Sequence, residues 1–421
     1  MPSTTRTGFY RDPAGNAYLG GFRLDRALKM PELKTPCYLY DLDGIEDGVR
    51  ALVEIIGSPN TVAYAMKANS AGSVLRRVAS AGAGADVVSG AELELALSCG
   101  VPSGKIVMSG VAKSDAELDF AITQGILALQ VESVEELSRI AARAQAVGRP
   151  ARVSPRLNPS VEIDSHAHIA TGHDEAKFGI LLNDLDRAWT LIDGSEWLSA
   201  VGISSHIGSM LRQTDAYLTA ARLLCQVALA RRAAGKPFSY VNFGGGFGVD
   251  YGGGAVTPPT EFARAALSLR DEMGLQETPL CIEPGRSIVA PYGVLLAKVT
   301  QQKVTSTGRW LMLDAGMNDL IRPALYQAKH RIEPLSQDPS GLPWRVVGPV
   351  CESSDDFGWH TVSDSPPEYV VLREAGAYGY VMASEYNGRP LPAEVFISNS
   401  EIAKVSAPRS AQRWIAERLD A

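Results

Sequence analysis

The stretch ADVVSGAELELALSCGVPSGKIVMSGVAKSDAELDFAITQGILALQVESVEELSRIAARAQAV, residues 85–147, contains the pattern that decides the fold. Short β-rich apolar runs alternate in it with longer segments whose apolar residues recur with the period of a helix. This alternation predicts parallel strands joined by helices. The runs are Ala85–Val88, Ile106–Met108 and Leu127–Val131, and two of the helical segments are Ala91–Cys99 and Glu132–Val147.

The same alternation extends on both sides of this stretch and includes a long helix predicted over Tyr217–Ala234. Eight strands are predicted in all, within the roughly 250 residues typical of a (β/α)8 barrel. An open doubly wound sheet is the alternative α/β fold that such a pattern allows, but the count of eight favours the barrel. The other five predicted strands are Val62–Met66, Arg152–Leu157, Gly202–Ser205, Tyr240–Phe243 and Leu280–Glu283.

The pattern changes after about Val289, where helical periodicity becomes sparse and Gly and Pro separate short strand-like runs. This change predicts a second, mainly β domain over residues 290–421, after a barrel over residues 36–289. The first 35 residues carry a hairpin-like pattern, AYLGGFRL, and we expect residues 1–35 to pack with the β domain. Its predicted strands are Val294–Val299, Trp310–Leu313, Arg345–Val347, Tyr369–Leu372 and Val395–Ile397.

Composition excludes several classes of protein. Apolar residues make up 45% of the 421 residues and charged residues 21%, which is typical of a folded globular chain and not of a disordered one. The net charge of −7 argues against binding to nucleic acid or to an anionic membrane, and no window approaches 18 apolar residues. The N-terminus has no apolar secretory core. Five scattered cysteines without a C-x-x-C pair predict free thiols in a reducing cytoplasm: Cys37, Cys99, Cys225, Cys281 and Cys351.

Barrel enzymes carry their chemistry at the C-terminal ends of the strands. Reading one residue beyond each predicted strand gives Lys67, Ser89, Ser109, Glu132, Asn158, His206, Gly244 and Pro284. Together with the acid that precedes Pro284, this set supplies a lysine amine, a flat imidazole, a side-chain-free turn and a carboxylate. These are the parts that a barrel needs to hold pyridoxal phosphate.

Each feature also has an ordinary structural explanation. Lys67 could extend to solvent and His206 could be a core histidine. The run Gly244–Gly246 could be a plain tight turn, and Glu283 could form a surface ion pair with Arg286. The glycine run is neither a P-loop, because no Gly-Lys-Ser/Thr follows, nor a dinucleotide fingerprint, because the G-x-G-x-x-G spacing fails.

The chain resembles the alanine-racemase-like class of pyridoxal-phosphate enzymes and, within it, the diaminopimelate decarboxylases. The resemblance covers roughly residues 35–400, and three of its motifs, DAGMNDLIRPALY, CES and GAYG, are specific to the diaminopimelate branch. The matching stretches are YAMKANS (64–70), GADVVSGAEL (84–93), RLNPSVEIDSHAHIATG with AKFGI (156–180), HIGS (206–209), FGGGFGVDY (243–251), EPGRSIVA (283–290), DAGMNDLIRPALY (314–326), GPVCESSD (348–355) and GAYGYVMASEYNGRP (376–390).

The resemblance implies a catalytic role for Lys67, which would carry the cofactor covalently, for His206, which would stack on its ring, and for Cys351, which would return a proton. It implies an obligate homodimer in which the Cys351–Glu352 loop completes the partner's site, and it implies no metal. The implied cofactor-binding residues are Lys67, His206, Ser209, Gly245, Gly246, Glu283, Pro284, Gly285, Arg286 and Tyr378. The implied substrate contacts are Arg286, Arg322, Tyr326, Glu352 and Tyr378.

The implied reaction is the decarboxylation of meso-2,6-diaminopimelate to L-lysine and CO₂, the last step of lysine biosynthesis. Two alternatives remain open: a related decarboxylase that acts on a modified amino acid, and a non-catalytic homologue that only binds the cofactor. The first is permitted because Met210-Leu211-Arg212 follows HIGS where the family commonly has Gln. Racemisation is less favoured, because no tyrosine base from the second domain is identifiable and Cys351 occupies a donor position.

Overall fold

The structure is a computed structural model that describes residues 6–31, 33–160 and 177–420. These residues fall into two units. The β unit takes in the described residues of Met1–Ile45, Asp250–Gly254 and Ile288–Ala421, and the barrel unit takes in those of Glu46–Val249 and Ala255–Ser287. Across the described residues, no helix combines the length and the apolar character that crossing a membrane requires.

The chain begins with an antiparallel three-stranded sheet in which each strand pairs with the next. The rings of Tyr10 and Tyr18, opposite each other in this sheet, stack with their centroids 5.1 Å apart. A fourth strand and the first helix follow. The bounds are β1 Phe9–Arg11, β2 Ala17–Leu19, β3 Phe22–Arg23, β4 Cys37–Asp41 and α1 Leu42–Ile56.

Parallel strands form a barrel of eight positions, and the sixth position is divided at Val201 into two short strands. The barrel closes because its last strand pairs with its first, and because Arg156 forms a parallel bridge with Ser204. All eight predicted barrel strands are confirmed. They are β5 Thr61–Ala65, β6 Gly84–Val87, β7 Ile106–Met108, β8 Ala128–Val131, β9 Ala151–Pro155, β12 Leu198–Ala200 with β13 Gly202–Ser204, β14 Tyr240–Gly245 and β15 Leu280–Glu283; the pair β10 Leu157–Asn158 and β11 Ile180–Leu181 lies outside this order.

Helices connect the barrel strands, and local sequence signals mark their ends. Ser89, Ser114 and Ser133 are N-caps, each accepting a hydrogen bond from the third helical N–H, while Gly125 and Gly148 end two helices in the left-handed conformation. The bounds are α2 Gly72–Ser80, α3 Gly90–Ser98, α4 Asp115–Gln124, α5 Val134–Val147, α6 Leu185–Asp193, α7 Asp215–Ala233, α8 Pro259–Glu272 and α9 Arg286–Val289.

The β unit is built on one mixed sheet, in which the early strand β4 lies between two strands from the second half of the chain. Its core is apolar and includes Leu39, Val294 and Val395. The second, mainly β domain is therefore as predicted. The bounds are β16 Gly293–Thr305, β17 Gly308–Leu313, α10 Arg322–Tyr326, β18 Ile332–Pro334, β19 Pro343–Val347, β20 Asp356–Thr361, β21 Tyr369–Leu372, β22 Ala393–Ser398, β23 Glu401–Ser406 and α11 Ala411–Leu419.

Short 3₁₀ helices complete the described secondary structure. One of them, Met66–Ala68, contains Lys67. Because this helix begins at Met66, the strand that was predicted to reach Met66 ends at Ala65. The 3₁₀ helices are Leu24–Lys29, Met66–Ala68, Ser103–Lys105, Leu182–Asp184, Ala290–Tyr292, Tyr380–Met382 and Tyr386–Gly388.

The insertion of β4 into the sheet predicts that Leu39 is important for stability. Leu39 is fully buried and is paired in register with Val294 on one side and Val395 on the other. We expect Leu39→Ala to lower the free energy of unfolding by about 2–5 kcal/mol, because it removes buried methyl groups and leaves a cavity. The measurement is the urea midpoint followed by circular dichroism. Leu342→Ala, at a side chain that is 59% exposed, should leave the midpoint nearly unchanged.

Candidate active site

The amine of Lys67 is directed to the barrel interior. Its Nζ atom lies 2.6 Å from Oδ2 of Asp86, which is fully buried on β6. Ser109, one residue beyond β7, donates a hydrogen bond from Oγ to the other carboxylate oxygen of Asp86. A buried carboxylate needs such partners, because an unpaired one is costly to remove from water. The ion pair therefore directs Nζ of Lys67 toward β6, although 37% of the Lys67 side chain remains exposed.

Glu283, the last residue of β15, is held by two amide side chains. The Nε2 atom of Gln130 donates to Oε1 of Glu283 at 2.5 Å, and Nδ2 of Asn242 donates to the same oxygen at 2.7 Å. Ser204 donates from Oγ to Oε1 of Gln130 at 3.1 Å and so orients that amide. All four side chains are buried. The surface ion pair with Arg286, weighed from the sequence, does not describe Glu283.

The pKa of Glu283 is raised from its ordinary value of 4.5 to about 7, mainly by burial and next by the negative charge of Asp86. The charge of Lys67 and the two amide hydrogen bonds act in the opposite direction and limit this rise. The three groups are therefore electrostatically linked. A cationic partner placed beside Glu283 would favour its charged form.

The turn that follows β14 requires glycine for steric reasons. A Cβ atom on Gly244 would lie 2.2 Å from the carbonyl oxygen of Ser205, and one on Gly246 would lie 2.1 Å from that of Gly208. Both residues also have positive φ angles, +71° and +90°. A Cβ atom on Gly245 would lie 1.9 Å from the carbonyl oxygen of Glu283. The glycines thus let three strand-end loops approach each other closely.

His206 lies in one of these loops and accepts a hydrogen bond at Nδ1 from the backbone N–H of Gly245, at 3.3 Å. Burial lowers the pKa of His206 well below its ordinary value, and the positive charges of Arg156 and Lys67 lower it further. The ring is therefore neutral, with its proton on Nε2. Arg156 also donates to the carbonyl oxygen of His206 at 3.1 Å and forms a buried ion pair with Glu132 at 3.0 Å, which fixes this loop.

The loop after β15 brings a cation to the same end of the barrel. Arg286 is buried and donates from Nη2 to Oγ of Ser209 at 3.0 Å. The carbonyl oxygen of Pro284 accepts a hydrogen bond from the N–H of Ala65, and a Cβ atom on Gly285 would lie 2.9 Å from Cβ of Ala65. This loop is therefore packed against the segment that carries Lys67.

These groups fit pyridoxal phosphate. An amine at Lys67 suits the aldehyde, a carboxylate at Glu283 suits the ring nitrogen, and the flat neutral ring of His206 suits the ring face. The side-chain-free glycine turn with Ser209 and Arg286 suits a phosphate, since backbone N–H groups, a hydroxyl and a guanidinium all donate to its oxygens. The hydrogen bonds of Gln130 and Asn242 both end on Oε1 of Glu283.

The predicted proton donor lies in the β unit, in the segment between β19 and β20. Cys351 and Glu352 are both exposed. The N–H of Cys351 donates to Oδ1 of Asn387 at 3.0 Å, and the hydroxyl of Tyr386 donates to Oε1 of Glu352 at 2.5 Å. Buried Asp355 accepts hydrogen bonds from the N–H groups of Met317 and Val350 and so holds the base of the segment.

Three further predicted residues also lie in the β unit. Arg322 and Tyr326 are the first and last residues of α10, and Arg322 is only 3% exposed. The guanidinium of Arg322 lies over the ring of Tyr251, 4.6 Å from its centroid. Tyr378 is half-buried and adopts a left-handed backbone conformation, with φ +54°.

Sequence reasoning missed three polar residues of the barrel interior. Asp86, Gln130 and Asn242 each interrupt an otherwise apolar strand, in GADV, ALQV and YVNFGG. A single polar residue inside a buried strand was the available signal, because such a side chain needs a partner. The stretch RLNPSVEIDSHAHIATG with AKFGI, which carries part of the family resemblance, lies partly outside the described residues, because residues 161–176 are not among them.

The chain is similar to several known proteins. Residues 42–290 match the family described as pyridoxal-dependent decarboxylase, pyridoxal binding domain. The chain is 36% identical over 395 residues to a diaminopimelate decarboxylase of Zymomonas mobilis, which covers 91% of this chain and 94% of that protein. The crystal structure of diaminopimelate decarboxylase from Helicobacter pylori complexed with L-lysine has a TM-score of 0.88 and 35% identity, with 95% of this chain and 100% of that chain covered. The enzyme from M. jannaschii in complex with L-lysine has a TM-score of 0.90 and 31% identity, with 98% of both chains covered.

The raised pKa of Glu283 predicts a pH-dependent stability of the cofactor-free protein. Because the folded pKa of about 7 lies above the ordinary 4.5, the folded state binds more protons between these values. The contribution of Glu283 to the free energy of unfolding is thus fully present below pH 4.5 and is lost as the pH rises through about 7. We expect Glu283→Gln to show a smaller loss of stability across this range than the wild type, in urea titrations. Equal losses would contradict the raised pKa, and Glu401→Gln, at an exposed site, is the control.

Proposed function

The chain belongs to the diaminopimelate decarboxylases among the pyridoxal-dependent decarboxylases, and we propose that it converts meso-2,6-diaminopimelate into L-lysine and CO₂ through the residues described above. The observation that carries this proposal is the convergence of Lys67, Asp86 and Glu283 inside the barrel. The enzyme uses pyridoxal phosphate and is a carboxy-lyase.

Bound pyridoxal phosphate supplies an electron sink for the electron pair that the departing carboxylate leaves on the α-carbon. Lys67 would hold the aldehyde of the cofactor, and Glu283 would keep its ring nitrogen protonated. The neutral ring of His206 would pack on the cofactor ring. Ser209, Arg286 and the N–H groups of Gly245 and Gly246 would bind the phosphate, with Tyr378 as a further contact; Pro284 and Gly285 shape the loop.

The ion pair of Lys67 with Asp86 prepares the amine for its role. Asp86 holds Nζ beside β6 through the 2.6 Å contact. A protonated amine is not a nucleophile, and Asp86 is placed to accept its proton at Oδ2. The Oγ–H of Ser109 donates to the other carboxylate oxygen of Asp86 and so holds that side chain in place.

Substrate selection follows from charge. Meso-diaminopimelate carries a second carboxylate and ammonium far from the reacting carbon, whereas ornithine carries only an ammonium there. Arg286, Arg322 and Tyr326 are suited to the carboxylate and Glu352 to the ammonium. Each charge-assisted hydrogen bond is worth about 1.5–3 kcal/mol, so a substrate without the distal carboxylate should be disfavoured by more than about a hundredfold.

Cys351 returns a proton to the α-carbon after CO₂ leaves. The proton is held at Sγ, and Asn387 fixes the backbone of Cys351 by accepting from its N–H. Both Cys351 and Glu352 are exposed on the chain that carries them. This exposure supports a homodimer in which the Cys351–Glu352 loop completes the active site of the partner subunit.

We also propose a cytoplasmic location. All five cysteines are free, and four of them are buried. Free thiols of this kind are typical of a reducing compartment.

The substrate assignment predicts the outcome of a direct assay. Purified enzyme with pyridoxal phosphate should release CO₂ from meso-diaminopimelate more than about a hundredfold faster than from L-ornithine at equal subsaturating concentration. Lys67→Ala should abolish this release and the visible absorbance band of the bound cofactor, because the amine is lost. Lys404→Ala, at an exposed lysine, should change neither. Faster release from ornithine would overturn the assignment.

The shared active site predicts complementation between two inactive variants. Lys67→Ala and Cys351→Ala damage different halves of the proposed site, so a hybrid dimer would contain one intact site. Statistical pairing of equal amounts should restore about a quarter of wild-type activity. The measurement is the activity of co-expressed variants after equilibration, with each variant alone as the baseline. No activity above that baseline would mean that Cys351 acts within its own chain.

A further inference from the structure

A buried histidine of the β unit is in direct contact with the guanidinium of Arg322. His330 is 2% exposed, and its Nε2 atom lies 2.7 Å from Nη1 of Arg322. Its Nδ1 atom lies 2.8 Å from the carbonyl oxygen of Arg373. The ring of Tyr251 meets the His330 ring edge-on at 5.1 Å and lies under Arg322. We call these three side chains, Tyr251, His330 and Arg322, the Arg322 cluster.

The two hydrogen bonds determine the tautomer of His330. A guanidinium can only donate, so Nε2 must be the acceptor in the contact with Arg322. A backbone carbonyl can only accept, so Nδ1 must carry the proton that is donated to Arg373. A neutral ring with its proton on Nδ1 satisfies both partners at once. The opposite tautomer satisfies neither.

The surroundings of His330 hold this arrangement in place. His330 lies two residues before β18, which pairs with β21, and the N–H of Arg373 donates to the carbonyl oxygen of Arg331 at 2.8 Å. Arg331 in turn binds the side chain of Asp250 at 2.6 Å and that of Glu374 at 2.9 Å. These contacts fix both the acceptor carbonyl on one side of the imidazole and the segment that carries Tyr251 on the other.

We propose that His330 is a positioning residue that orients Arg322 toward the distal carboxylate of the substrate. The guanidinium is planar, so a bond that fixes Nη1 and a ring that fixes its face together set the direction of its other N–H groups. The imidazole acts through Arg322 and does not touch the substrate. This inference rests on the substrate-binding role proposed above for Arg322.

L-Lysine is a suitable probe, because it is the product and retains the distal carboxylate as its own α-carboxylate. 1,5-Diaminopentane has the same chain without that carboxylate. Two substitutions separate the two hydrogen bonds of His330. In His330→Gln the amide oxygen can take the place of Nε2 and accept from Arg322, whereas in His330→Asn the shorter side chain can replace only Nδ1.

The experiment measures equilibrium binding of both probes to holoenzyme by calorimetry, together with KM and kcat for meso-diaminopimelate. A hydrogen bond to a charged group corresponds to roughly a ten- to hundredfold change in an equilibrium constant. We therefore expect His330→Asn to weaken L-lysine binding and raise KM by at least about tenfold, with kcat within about threefold of wild type. His330→Gln should retain L-lysine binding within about threefold, and binding of 1,5-diaminopentane should be unchanged in both variants.

A matched control is His360→Gln, which removes a half-buried histidine of the β unit, one whose Nε2 atom bonds to the carbonyl oxygen of Phe357 at 2.8 Å. It should leave the binding of both probes unchanged. Equal weakening of both probes in His330→Asn, or weakening by His330→Gln as large as that by His330→Asn, would overturn the positioning role. Arg322→Gln tests the underlying assignment separately. If it binds L-lysine like wild type, the substrate role of Arg322 fails; if it weakens L-lysine while His330→Asn does not, only the inference about His330 fails.

Discussion

The ion pair between Lys67 and Asp86 is the interaction on which the chemistry of the barrel depends. Below it, the barrel interior is apolar and includes Ala63, Val107 and Tyr240. Above it, carboxylates, amides and hydroxyls are brought together where little water can reach them, and such groups are tolerated only when each has a partner. The cation of Lys67 lies beside two acids, bonding to Asp86 and lowering the pKa of Glu283. A single ammonium thus offsets part of the cost of burying two carboxylates.

The strand-end loops meet because glycine removes the atoms that would keep them apart. At Gly245 and Gly246 a Cβ atom would overlap the carbonyl oxygens of Glu283 and Gly208. The same close approach lets the N–H of Gly245 reach Nδ1 of His206. Packing and electrostatics are therefore coupled at this turn, since the backbone that packs closely against the neighbouring loops also fixes the tautomer of His206.

Periodicity in the sequence was enough to predict the eight barrel strands, and position at the strand ends was enough to single out Lys67, His206 and the Glu283 loop. The polar side chains within the strands that contact Lys67 and Glu283 were not predicted. Asp86, Gln130 and Asn242 lie on different strands, and strand bounds alone do not say which side chains point into the barrel. The pairing of β4 with β16 and β22 was equally out of reach, because its partners follow it by more than 250 residues. Local pattern carries little information about such distant pairing.

The choice of residue beside Arg322 has an electrostatic reason. A carboxylate in the place of His330 would also accept the hydrogen bond of Nη1, but its negative charge would cancel that of the guanidinium and weaken attraction for a substrate carboxylate. A neutral imidazole accepts the same bond at 2.7 Å and leaves the positive charge in place. The carbonyl of Arg373 keeps the ring in the tautomer that can accept. In the barrel, an acid pairs with Lys67; in the β unit, a neutral acceptor contacts Arg322 and leaves its positive charge uncompensated by that contact.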